Sequence, residues 1–229
     1  MEYVGSSNLS ENEQEELVNL CNEFLQEVGT AVQIYLDLIS GCQQNLDMAN
    51  QTTDILETIG QTIGERRLDE LRTSVLQETG IDTSNVLFNL KDRNSSNGIN
   101  YQFASRMTIV YIFEIWEGCY REEIRRKLKI GDDQKVIAPI MGDLRLLRNS
   151  IVHNKGKAKR DVSKCEIIRD FSEHDSIEIT PTRMGFIKKQ ISLLIESLKS
   201  SISVETVWRI EKSRKNTVNC NQMCYKQKR

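Results

Sequence analysis

The sequence predicts an all-α protein, and three observations carry that expectation. Only two prolines occur in 229 residues, so most of the chain lacks the residue that breaks helices most often. Glycine is also sparse, at 12, which argues against a many-stranded fold with a tight turn every ten residues. Apolar residues recur at steps of three and four through most of the chain, the period of one helix face.

Taken in order, Ser10-Glu11-Asn12-Glu13 has the S-x-x-E form of a capping box. Leu17, Leu20, Cys21, Phe24, Val28, Val32, Tyr35 and Ile39 then mark an amphipathic helix over about 11–40, with Gly41 as its expected stop. A second helical pattern carries Ile55, Leu56, Ile59 and Ile63. A third carries Leu68, Leu71, Val75 and Leu76 and is closed by Gly80. Residues 1–90 are therefore expected to form an acidic helical extension, either a hairpin or three helices. The polar run 91–100, KDRNSSNGIN, reads as a linker.

A helical domain is expected over 101–208. Its first helix starts near Tyr101 or Ser105 and runs through Phe103, Met107, Val110, Tyr111 and Trp116 to Gly131. Pro139 suits the first turn of the next helix, and Asn154 and Gly156 suit its end. The segments KCEIIRDF and DSIEIT leave room for a short β-hairpin near 164–180. A last helix begins near Thr182. A basic tail, 209–229, closes the chain.

The charge is unevenly divided. Residues 1–90 hold 16 acids and 3 basic residues, whereas the rest holds 17 acids and 28 basic residues. The C-terminal part can attract a polyanion, and the acidic part can mask it, dimerise or hold a regulator. Facing parts that neutralise one another are an equally open reading. The first ten residues have no basic, apolar leader pattern, and the most apolar stretch, MTIVYIFEIW, is too short to cross a bilayer. A cytoplasmic location with reduced thiols is expected, and no membrane. Cys220 and Cys224 lack a second pair or a nearby His to complete a zinc site, so neither a metal nor a cofactor is expected.

The chemistry concentrates in residues 139–160. On a helical wheel Ile140, Leu144, Leu147 and Ile151 form an apolar stripe, while Arg145, Asn149 and His153 form a row on another face. Arg148 lies between the two sets. A face placed outward only for solubility would more often use Lys and Glu.

The run LRLLRNSIVHNKG resembles the signature of HEPN domains, an Arg and a His separated by four to six residues with a polar residue after the Arg. Arg148 and His153 take the two positions with four residues between them, and Asn149 takes the polar one. The resemblance spans roughly 101–200 and does not reach 1–90. It implies a helical bundle and a metal-independent endoribonuclease acting as a homodimer, with Arg148 and His153 of both protomers at a shared site. In that chemistry the RNA supplies its own 2′-OH as nucleophile. His titrates near neutrality and can act as base or acid. Arg forks two N–H groups at phosphate oxygens. Asn149 orients the ring or the phosphate. The products implied are a 2′,3′-cyclic phosphate and a 5′-OH.

Around this trio, Arg145 and the loop residues Lys155, Lys157, Lys159 and Arg160 are candidate RNA-backbone contacts. The plainer reading of Arg145 is a pair with Asp143 or an upstream acid, and that of the loop is a solvated surface. Glu114 interrupts an apolar stretch and is a candidate tether for Arg148. Some toxins of the family carry a Tyr two residues after the His, where a partner enzyme modifies it. Lys155 stands there, so that mode of control is not supported, although an antitoxin or other regulator stays open. Two further readings remain: an RNA- or nucleotide-binding module without catalysis, and a helical protein-interaction module.

Overall fold

A computed structural model describes residues 9–131, 134–136, 138–203 and 210–212. The protein is an all-α bundle built on one very long helix, α1 (Glu11–Ile63, 53 residues). It starts with the capping box read from sequence: the Ser10 side chain accepts from the Glu13 backbone and the Glu13 carboxylate accepts from the Ser10 backbone. Gly41 does not stop it. A single helical glycine costs only about 1 kcal/mol, and the buried positions continue on both sides with Val28, Val32, Tyr35, Cys42 and Ala49. The helix ends instead at Gly64, whose φ of 87° ordinary residues avoid.

Helices α2 (Glu65–Thr79) and α3 (Thr83–Asn94) fold back on the distal half of α1. Gly80 caps α2 in the left-handed conformation, as its position after the periodic run predicts. The polar run 91–100 is only partly a connector, because α3 reaches Asn94 and α4 (Ile99–Ile115) starts at once. The expected single helix from 101 to 131 is also interrupted. A π-helical turn, Trp116–Tyr120, separates α4 from α5 (Arg121–Lys127). There Trp116 and Tyr120 both pack on Phe24 of α1, with ring centroids 5.3 and 5.0 Å away. Helix α6 (Pro139–His153) has Pro in its first turn as expected, and α7 (Pro181–Ser203) closes the bundle. A three-residue antiparallel pair joins Gln134–Val136 to Ile210–Lys212. Apart from those three residues, the expected basic tail lies outside the described residues.

The core does not divide at residue 90. Leu17, Cys21, Phe24, Val28, Val32 and Tyr35 of α1 share one buried cluster with Ile109, Ile112, Leu144, Leu147, Ile187 and Ile191. The first half of the expected extension is thus a central helix of the bundle, and only the distal part of α1 with α2 and α3 projects as an arm. Burial of the Tyr35 ring is completed by its hydroxyl, which donates to the Ile179 carbonyl at 3.0 Å. Part of the charge asymmetry is neutralised internally: Lys127 pairs with Glu16 at 2.8 Å and Lys129 with Glu13 at 2.9 Å.

The hydrogen bond from Lys129, then those from Ser10, hold the Glu13 carboxyl down at about 2, below its ordinary 4.5. A depressed acid contributes stability above its ordinary value and loses it as pH falls through the lowered one. Carboxyl NMR titration is therefore expected to place the Glu13 midpoint near 2, and Lys129→Ala is expected to move it upward.

The expected hairpin near 164–180 is absent. The segment opens with a 3-10 turn, Arg160–Lys164, and then runs without a strand, touched only by an isolated bridge between Lys157 and Ser176. The apolar alternation that suggested strands is real, since Ile168, Phe171, Ile177 and Ile179 are buried. The backbone finds other partners. Asp143 of α6 takes the amides of 166–168, and the loop at 156–158 exchanges bonds with His174, Asp175 and Ile177.

Candidate active site

Helix α6 presents two faces as its wheel predicts. Ile140, Leu144 and Leu147 are fully buried and Ile151 half-buried, while Arg145 and His153 are exposed and Asn149 half-buried. The buried side also carries two polar residues. Asp143, 2% exposed, accepts the backbone N–H groups of Glu166, Ile167 and Ile168 at 2.9, 2.7 and 2.7 Å. Ser150, fully buried, donates to the Leu146 carbonyl and accepts the Lys159 N–H, both at 3.1 Å. These bonds fasten the loops after the helix to the helix itself. They fix its exposed face by strapping the opposite one.

The helix ends at Asn154, whose side chain donates to the Lys157 carbonyl at 2.8 Å. Gly156 follows with φ of 77°, and a Cβ there would fall 2.4 Å from the Arg106 guanidinium carbon. Arg106 needs that space. It forks to the Ile177 carbonyl and the Ser176 hydroxyl, both at 3.1 Å, and so locks the loop beside the last turn of α6.

On the outer face four groups converge. The Arg148 guanidinium donates from Nε to Glu114 Oε1 at 2.8 Å, and its Nη2 forms an ion pair with the same oxygen at 2.7 Å. Its Nη1 lies 3.2 Å from Asn149 Oδ1 and 3.4 Å from His153 Nε2. Arg148 is thus pinned by α4 on one edge and faces Asn149 and His153 with the other. A guanidinium carries only donors, so this contact engages the lone pair of Nε2, and Nε2 can take a proton from a substrate hydroxyl only by exchanging the Arg148 contact for it. The Arg148 side chain is 27% exposed and that of Glu114 49%, so the cluster opens to solvent.

The remaining candidates lie apart from this cluster. Arg145, one turn earlier, does not pair with Asp143, whose oxygens are taken by amides. It lines a cleft of about 320 Å³ with Glu117, Arg121, Met141 and Gly142. Lys155, Lys157 and Arg160 are exposed on the loop after His153, and Lys159 is half-buried. None of the ion pairs among the described residues joins these four to an acid of the N-terminal region. His174 is an exposed loop residue with φ of 74°. No cluster of metal-ligating side chains occurs among the described residues, and no helix is long and apolar enough to cross a membrane. Cys220 and Cys224 lie outside the described residues.

Asp143, Ser150 and Arg106 are supporting residues whose part sequence reasoning missed. A signal existed for the first two: both are polar yet lie at the edge of the apolar stripe of α6. Nothing in the sequence links Arg106 to Gly156, because that contact joins distant segments.

Among the described residues Glu114 pairs with Arg148 alone. Glu114→Gln is expected to lower any activity of the site by about tenfold, a loss of roughly 1.4 kcal/mol in barrier terms, by freeing the guanidinium to wander. It is expected to change stability by less than about 1 kcal/mol, because a half-exposed ion pair is worth little. A cleavage rate and a thermal melt on one preparation separate the two effects.

Comparisons with known protein families, with characterised proteins and with solved structures find no match to this chain.

Proposed function

We propose that the protein is a metal-independent endoribonuclease of the HEPN type, acting as a homodimer. One observation carries the reading. A single guanidinium is held by Glu114 and set against both Asn149 and His153 at a solvent-open helix end. These groups match what RNA transesterification needs. A neutral imidazole takes the 2′-OH proton, and a fixed cation meets the charge growing on the phosphorane.

One His serves one proton transfer, and a second His supplies the other. The surface beside the site supports a second copy as its source. On α4, Ile99, Phe103, Met107 and Tyr111 are 66, 65, 45 and 49% exposed and lie on the face that carries Glu114. On α6, Val152 is 49% exposed as well. A two-fold pairing across these residues would bring two copies of the trio together and bury the patch. The exposed Lys155, Lys157 and Arg160 and the half-buried Lys159, with Arg145, would hold the RNA backbone on either side. A role as a toxin or phage-defence effector in the cytoplasm follows from the resemblance.

The test is direct. The purified chain is expected to cut structured RNA in excess EDTA, and Phe103→Glu is expected to reduce both the mass of the assembly and cutting. A folded protein that leaves varied RNAs intact would overturn the enzymatic reading and leave a binding module.

A further inference from the structure

The arm formed by the distal part of α1 carries a second surface, unrelated to the site and independent of the proposed activity. Its inward row is Cys42, Ala49 and Gly60, buried beneath α2 and α3. One residue earlier at each step runs an outward row at positions 34, 38, 41, 45, 48, 52, 55 and 59. Its spacing alternates four and three without a fault, the seam of a heptad repeat. The apolar members Ile34, Leu38, Met48, Ile55 and Ile59 are 55, 51, 54, 60 and 38% exposed. Among the described residues, a Cβ placed on Gly41 would meet no atom within 4 Å. From Ile34 to Ile59 the row extends about 38 Å, at 1.5 Å per residue.

The charges select the occupant. This is the acidic part of the chain, and no Lys or Arg occurs between residues 29 and 65. Yet most of the acids avoid the row. Asp47, Asp54 and Glu57 fall at heptad positions turned away from it; of the flanking positions 37, 44, 51 and 58 only the first, Asp37, is charged, and the others are Gln, Gln and Thr. A basic partner would call for acids along the seam; a like-charged partner requires their removal from it. The polar members agree. Thr52 is satisfied by the Met48 carbonyl at 2.8 Å, whereas exposed Asn45 lies at an a position, where an Asn is best met by the same residue of a parallel partner.

We infer that α1 residues 34–59 form a self-association seam, in which a second copy of this chain packs parallel and in register with Asn45 against Asn45. Light scattering on the full chain tests this. The double variant Met48→Glu/Ile55→Glu is expected to halve the mass with an unchanged circular dichroism spectrum. Asn45→Glu and Asn45→Lys chains are expected to halve it singly and to recover the parent mass when mixed. An unchanged mass for the folded double variant would overturn the seam. Failure of the mixture to recover would overturn the parallel register. Phe103→Glu touches only the surface beside the active site, so the two associations fail separately.

Discussion

Replacing His153 by Ala is expected to lower the RNA cleavage rate at least about a hundredfold, the usual contribution of a positioned general acid or base. Stability is expected to change little. The imidazole is exposed on the last turn of α6, and the core contacts of that helix come from the opposite face. Loss of a favourable dipole contact costs about 1 kcal/mol at most. Arg148→Ala is expected to lose at least as much rate, because removing one preorganised donor to a developing oxyanion typically costs 10²–10³-fold. Arg148→Lys is the sharper variant. It keeps the charge but cannot reach Glu114 through two nitrogens while a third faces Asn149 and His153. Its rate is expected to stay near that of the Ala variant. A Lys variant that cuts at the parent rate would mean that only charge matters there.

The largest stability effect is expected at Asp143, which no reacting group touches. Its carboxylate, almost completely buried, is the acceptor for three consecutive amides. Asp143→Ala would orphan those amides in the interior, at about 1–3 kcal/mol for each unsatisfied group. Allowing for relaxation and water entry, a net loss of about 3–5 kcal/mol is expected, the range of exceptional single substitutions. For a chain of this size that corresponds to a fall in Tm of roughly 10 °C. Asp143→Asn retains one acceptor oxygen and is expected to lose less. The same substitution should loosen the 156–180 segment. Burial with Asp143 nearby holds the Cys165 thiol up at about 12, so labelling of Cys165 by a thiol reagent should accelerate in Asp143→Ala.

What the sequence made legible follows from which interactions are local. The capping box of α1, the Pro start and Asn154 end of α6 and the Gly80 cap of α2 are decided within a few residues, and each stands where the pattern placed it. Gly41 misled because a helix stop depends on what lies beyond it, and the buried row resumes at Cys42. The expected hairpin misled for a related reason. Alternating burial is shared by any extended segment on a core, and only the distant Asp143 determines where these amides bond. The placing of residues 1–90 as an extension overlooked that one helix can serve two bodies, the bundle up to Tyr35 and the arm beyond it. At the site, the helix wheel set Arg148 between the faces. The interruption of an apolar stretch marks Glu114 as a tether for Arg148, and the crossing of α4 and α6 brings the two together; only the geometry of that crossing lies outside any single-helix pattern.

The central claim is that Arg148 and His153 together break RNA by attack of its own 2′-OH, with no metal. End-group analysis of RNA treated in EDTA with the parent and with His153→Ala tests it most directly. The account predicts fragments from the parent alone, each pair bearing a 2′,3′-cyclic phosphate and a 5′-OH. Fragments with a 5′-phosphate, or equal cutting by the variant, would contradict it.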